Sequence, residues 1–488
     1  SRGLGDVYKR QGIAELDNLP LGKYYIVEKE TSYGYVLDDE PRYVDLTYRD
    51  QDTPVVTYSA DWQNRRQKVQ VNVLKKEKDS DKVLSGAIFG LFAAEDITSA
   101  GGKVLIEKDT IIELKTTDES GWIHFIADLP IRAKYYLKEI YAPDGYVRAT
   151  EAQEFTFEYQ GDKTTQAVYE FTFENVQTSV ELSKADLTDG KELPGASLQV
   201  LDSTGTVVEE WISTEEPHMI RGLLVGETYT LVETKPADGY TTAESIEFKV
   251  EDTAEVQKHQ MLDDVTKVEI SKTDVTDSKE VPGAKLTILD KDGKVVESWV
   301  SDKDPHMVEK LPVGTYTLRE EQAPDGYLVA EEVSFEVKDT GEIQKVEMKD
   351  ARPTGKLILK KTDAEDGSPF AGAEFELRIK KSGKVVATLV TDEEGVATSG
   401  DIPIATYKDG KMKKEIEYIL VETKAPEGYV RSEKEENVVF EYKDDKTKEI
   451  EITKELTNER IPTGGYVKSP KTGDDTNICL LYTSDAAD

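Results

Sequence analysis

The chain has 488 residues, with 62 Lys and Arg against 98 Asp and Glu, a formal charge of −36 and 33% charged residues. That length makes room for several domains, and so acidic a chain repels phosphate backbones, which excludes nucleic acid as a partner. With 37% hydrophobic residues, a mean hydropathy of −0.55, no long apolar run, four His and a single Cys (Cys479), it offers no membrane helix, disulfide or Cys-His zinc site, and neither metal nor cofactor is expected.

Residues 1–11 and 480–488 resemble translated sequencing-adapter read-through, so both ends are expected to be non-native and the gene a fragment. Between them a tyrosine-rich box recurs five times, each with a Glu four positions after its first Tyr and a Gly-Tyr pair six and seven positions after that Glu. A truncated first repeat, 12–67, holds the box YYIVEKETSYGY (24–35, with Glu28) and a closing Asn64, but no opening strand. The second, 68–177, opens with VNVLK ending at Lys75, carries Gly86-Ala87 and the box YYLKEIYAPDGY (135–146), and closes with FTFENV at Asn175 and Val176. In the third, 178–265, VELSK ends at Lys184, the box is YTLVETKPADGY (229–240), and HQMLDD supplies Asp263 beside Asp264. The fourth, 266–352, is a near copy: VEISK to Lys272, box YTLREEQAPDGY (316–327), closing Asp350. The fifth, 353–462, runs from LILKK at Lys361 through YILVETKAPEGY (418–429) to ELTNE, with Asn458.

Each opening element alternates with period two and puts its Lys on the face of the apolar residues two and four positions earlier, so the Lys is predicted to point inward. The first half of each box alternates likewise, and its Ala-Pro-Asp-Gly half is turn chemistry. Some seven short strands per repeat, with no 3.6-residue periodicity, predict an all-β sandwich. The short junctions predict tandem sandwiches stacked as an elongated rod.

The inward Lys, the Gly-Ala pair, the Tyr-x-Leu-x-Glu-x-x-Ala-Pro-x-Gly-Tyr box and the closing Asn or Asp resemble the B-type repeat of Gram-positive collagen adhesins, also called the SpaA-type pilin domain. The resemblance covers about residues 12–462. It implies transthyretin-like, immunoglobulin-like sandwiches, many of which form a spontaneous Lys to Asn or Asp isopeptide bond assisted by the box Glu. The implied triads are Lys75, Glu139 and Asn175; Lys184, Glu233 and Asp263; Lys272, Glu320 and Asp350; and Lys361, Glu422 and Asn458. Lys76 and Asp264 stand beside two of these, and Glu77 stands where the other repeats have Asp two residues after the Lys.

The chemistry needs these residue types together. An amine is nucleophilic only when neutral, and burial favours the neutral form of both an amine and an acid. A neutral carboxyl can hydrogen-bond the acceptor carbonyl and relay the proton from amine to leaving group, while folding holds the reactants in contact. Ammonia leaves from Asn and water from Asp, once per molecule, so this is self-modification and no turnover enzyme is expected. One such Lys beside an Asp is ordinarily a solvated pair; four copies in register with a Glu and an acceptor argue otherwise. Trp211 with His218, and Trp299 with His306, are expected to be core or edge aromatics with satisfied imidazoles, and the Asp-rich turns 186–190 and 274–278 to be ordinary solvated turns.

The tail 463–479 carries Ser469-Pro470-Lys471-Thr472-Gly473, which resembles a sortase sorting signal with Ser in place of the common Leu. The resemblance implies cleavage between Thr472 and Gly473 and transfer to peptidoglycan, making sortase and peptidoglycan the partners and the Gram-positive cell wall the location. The reading is a wall-anchored adhesin stalk. The alternatives are a sortase-polymerised pilus subunit, and repeats that themselves bind a host extracellular-matrix protein.

Overall fold

A computed structural model describes residues 8–10, 12–99 and 101–462. The sorting motif Ser469–Gly473, Cys479 and the segment 480–488 lie outside the described residues, as does most of 1–11. Among the described residues all regular structure is β-strand, and no helix is long and apolar enough to cross a membrane. The alternation in the sequence is the cause: in Ser179–Asp186 the side chains of Val180, Leu182 and Lys184 are buried while Glu181 and Ser183 are half-buried.

The chain divides into two compact units, one running to Ala237 and including Thr241–Asp264, the other comprising Asp238–Tyr240 and the chain from Val265. In the first unit, the third repeat packs a three-stranded sheet (His218–Arg221, Ser179–Asp186, Gln257–Asp263) against a four-stranded one (Val207–Ile212, Ser197–Leu201, Thr228–Lys235, Ile246–Lys249). Val180, Leu182, Leu198, Leu231, Phe248 and Met261 fill the space between them. The second repeat has the same two sheets, with Lys68–Glu77 between Trp122–Phe125 and Gln166–Asn175. Residues 12–67 have the short strand Ile13–Glu15, paired with Tyr8–Arg10, and the hairpin Gly22–Ile26 with Arg42–Leu46; Val44 is buried, but Ile13, Leu21, Tyr25 and Tyr43 are exposed.

In the second unit, the fourth repeat repeats the plan, with Lys267–Asp274 between His306–Glu309 and Ile343–Asp350. The fifth places Thr354–Asp363 beside Glu449–Asn458 and adds a hairpin, Ala405–Lys408 with Lys411–Glu415.

In all four complete repeats the first and last strands are neighbours and run parallel. A parallel pair needs a long crossover, and here the remainder of the sandwich is that crossover. The register is the same each time: Lys184 lies opposite Met261 and Asp186 opposite Asp263, while Lys361 lies opposite Leu456 and Asp363 opposite Asn458. The acceptor is thus a diagonal neighbour of the Lys on the same inward face.

Candidate functional site

The side chains of Lys75, Lys184, Lys272 and Lys361 are at most 1% exposed, which sets them apart from ordinary solvated lysines. Lys75 and Lys361 lie near the rings of Phe89 and Phe375. Lys76 is part-exposed and faces Asp81 at 3.7 Å, so the pleat assigns the inward position to Lys75. Likewise Asp263 is buried and Asp264 only half-buried.

Across from each Lys, the box strand brings Tyr, Leu and Glu to the interior at alternate positions, as Tyr229, Leu231 and Glu233 show. A β-bulge follows the Glu in every complete repeat: Ser197 pairs with Lys235 and Leu198 with Glu233, leaving Thr234 as the extra residue. Such bulges re-aim side chains. The sequence reading did not find them; their signal is the step from alternation to turn residues just after the Glu.

The carboxylate is then oriented by the chain itself. Its Oε2 accepts the backbone N–H ten residues on, from Ala149 (2.6 Å), Ala243 (2.7 Å), Ala330 (2.6 Å) and Ser432 (2.6 Å). Oε1 faces the Lys Nζ, at 3.2 Å for Glu139, 2.9 Å for Glu233, 3.1 Å for Glu320 and 3.6 Å for Glu422. The turn that returns the chain has its box Gly at φ between 78° and 89° in all five copies, a left-handed conformation that an L side chain resists.

The acceptors close the sites. Lys184 Nζ donates to Asp263 Oδ1, and Lys272 Nζ to Asp350 Oδ1. Asn175 Nδ2 donates to Glu139 Oε2 (2.9 Å) and to the Val147 carbonyl; Asn458 Nδ2 donates to Glu422 Oε2 (3.1 Å) and to the Val430 carbonyl (2.5 Å). All four sets of three residues are therefore brought together. In the first repeat, Asn64 Nδ2 donates to both oxygens of Glu28, at 2.9 and 2.7 Å, and the Asp38 N–H reaches Oε2 at 2.9 Å.

Burial pulls the Lys75 and Lys361 ammonium groups below their ordinary range, against the opposing pull of Glu139 and Glu422. Burial likewise pushes the Asp263 and Asp350 carboxyls up to about 7, the Lys opposing and the Glu adding to the shift. Both displacements favour the uncharged forms that can react as amine and acid.

His218 stacks on Trp211 (4.3 Å between centroids) and its Nε2 lies 3.1 Å from Glu209; His306 repeats this with Trp299 (4.4 Å) and Glu297 (2.7 Å). The imidazoles are satisfied at a sheet edge, as expected. The Asp-rich turns are not simply solvated. Their first residues, Asp186 and Asp274, are buried, because the position two after the Lys shares its inward face.

A family profile described as SpaA, a prealbumin-like fold domain, matches residues 7–61, 69–170, 178–264, 266–352 and 355–456. Among solved structures, the Bacillus anthracis TIE protein is similar at 21% identity, over 79% of this chain and 73% of its own, with a TM-score of 0.42. BcpA, the major pilin subunit of Bacillus cereus, is similar at 16% identity over 59% of this chain and 100% of its own, with a TM-score of 0.28. A streptococcal ancillary pilin is similar at 16% identity over 58% and 99%, with a TM-score of 0.26. No curated protein matches the chain.

Proposed function

The chain belongs to the SpaA family of prealbumin-like fold domains, and from that membership we propose that it is the stalk of a Gram-positive cell-surface protein, locked by intramolecular isopeptide bonds. The observation that carries the reading is the fourfold recurrence of a buried Lys against a buried Glu and a buried Asn or Asp, at the one place where the two ends of a sandwich lie side by side. The neutral amine attacks the acceptor Cγ, and a new Nζ–Cγ amide replaces the C–O or C–N bond. The box Glu passes the displaced amine proton to the leaving group, which departs as water from Asp263 and Asp350 and as ammonia from Asn175 and Asn458. Each bond forms once, so the chain modifies itself without turnover.

A tie between first and last strands keeps tension out of everything between them, 79 residues from Lys184 to Asp263. That suits a stalk, and an amide, unlike a disulfide, needs neither Cys nor an oxidising partner. Ser469–Gly473 would serve as the sortase signal that joins Thr472 to peptidoglycan at the cell wall. The test is the intact mass of the folded chain, expected to lie about 70 mass units below the sequence value for two lost waters and two lost ammonias. An unshifted mass in the native protein rejects the cross-links.

A further inference from the structure

The residue two beyond each cross-link Lys ends the first strand and carries a second polar cluster. In the fourth repeat this is Asp274, which lies opposite Asp350 in the parallel pair. Its Oδ2 accepts from the Tyr327 hydroxyl at 2.7 Å and from Arg352 Nε at 2.7 Å. Arg352 lies two residues past the acceptor Asp350, so the Asp274–Arg352 pair joins the ends of the two strands that carry Lys272 and Asp350. The Val275 N–H adds a bond to the Asp350 carbonyl at 2.9 Å. The fifth repeat builds the same clamp from Asp363, Tyr429 and Arg460, with both bonds at 2.7 Å.

The two clamps differ in what covers them. Arg460 is 50% exposed, whereas Arg352 is 23% exposed. The cover over Arg352 comes from the neighbouring repeat. Tyr407, on the hairpin 405–415 of the fifth repeat, places its ring 4.1 Å from the Arg352 guanidinium carbon and packs edge-on against Tyr327 at 5.1 Å between centroids. Its hydroxyl donates to the Gly326 carbonyl at 2.5 Å, and at the hairpin tip Gly410 is so close to the Glu280 carbonyl that a Cβ would not fit. One ring from the fifth repeat thus rests on both groups that hold Asp274.

We propose that Tyr407 is a positioning residue for the Lys272–Asp350 cross-link of the preceding repeat, acting through Arg352 and Tyr327 on Asp274. A ring stacked on a guanidinium restricts its rotamers and strengthens its hold by a cation–π attraction, so docking of the fifth repeat fixes the strand register in which amine and acid meet. The fourth repeat's bond then forms after the fifth repeat has docked, while the fifth repeat's own bond needs no such help. This rests on the isopeptide reading.

The experiment follows each bond separately. The full chain is synthesised in a cell-free system, sampled after translation is stopped, digested and weighed, giving the linked fraction at 272–350 and at 361–458 against time. A misplacement of about 1 Å can cost on the order of a hundredfold in rate, so Tyr407→Ala is expected to slow the 272–350 bond about tenfold or more and leave 361–458 unchanged. Tyr407→Phe, which keeps the ring, should link at the wild-type rate. So should Tyr442→Phe, which removes only the junction bond from Tyr442 to the Tyr327 carbonyl (3.1 Å). Wild-type linking in Tyr407→Ala overturns the proposal, as does equal slowing of both bonds or equal slowing by Tyr442→Phe. If the wild-type chain never links 272–350 at all, the isopeptide reading itself fails.

Discussion

In the repeats that close on asparagine, Lys75 and Lys361 face only the box Glu, at 3.2 and 3.6 Å, and the acceptor amide turns its NH2 to the same Glu. In the repeats that close on aspartate, Lys184 and Lys272 reach the Glu at 2.9 and 3.1 Å and also donate to the acceptor carboxyl. One backbone frame therefore holds two electrical arrangements: a Lys–Glu pair with a neutral acceptor, and a Lys shared between two acids. On the proposed cross-linking, the difference would let a single fold run condensations with different leaving groups. An amide acceptor needs only the amine made neutral, and burial pulls Lys75 and Lys361 that way. A carboxyl acceptor must itself be made neutral, and burial pushes Asp263 and Asp350 up to about 7.

The largest effect should come from removing the amine. Lys361→Ala and Lys184→Ala each open a closed loop and lose roughly 4.5 kcal/mol on the chain-entropy estimate used for disulfides. Lys184→Ala also strands two buried carboxyls together, adding about 3 kcal/mol at alkaline pH, whereas Asn458 keeps its hydrogen bond to Glu422 in Lys361→Ala. Hydrogen exchange resolved by repeat should show the third repeat suffering more from Lys184→Ala than the fifth from Lys361→Ala. In single-molecule pulling each variant should gain one full-length unfolding step. Equal losses would mean that the two arrangements are energetically alike.

Next in size is the pH dependence of bond formation, read from the linked fraction of newly made chain. The Asp263 and Asp350 carboxyls are neutral below about 7 and ionise above it, so the gain from the neutral amine is cancelled there and the aspartate bonds should stop quickening as pH rises through that value. The neutral fraction of Lys75 and Lys361 grows as pH rises, so the asparagine bonds should quicken over the same range. The slopes should part above about 7, and parallel slopes would break the comparison.

The smallest change exchanges the acceptor. Asp263→Asn should still link, losing ammonia instead of water, and yields the same amide, so linked variant and linked parent should have equal mass and equal thermal stability. Only the pH slope of the 184–263 bond should turn over to the asparagine pattern. An unchanged slope would place control of the rate in the frame and not in the acceptor.

The sequence by itself determined the parts that are local. Period-two alternation marked the strands and turned Lys184, Leu182 and Val180 to one face, and the recurring box marked Glu233 and its four counterparts, because side-chain direction in a strand depends only on position along it. The same alternation, carried one step past each Lys, would have shown Asp274 to be buried; reading 274–278 as a turn hid it. Tertiary structure alone decided the rest. Nothing in residue spacing states that the first and last strands are parallel neighbours or that the register sets Asp186 opposite Asp263. Nor could it show that Tyr407 reaches back to Arg352. These contacts join residues tens of positions apart, and their geometry is fixed only when two sheets pack face to face and each strand finds its neighbours.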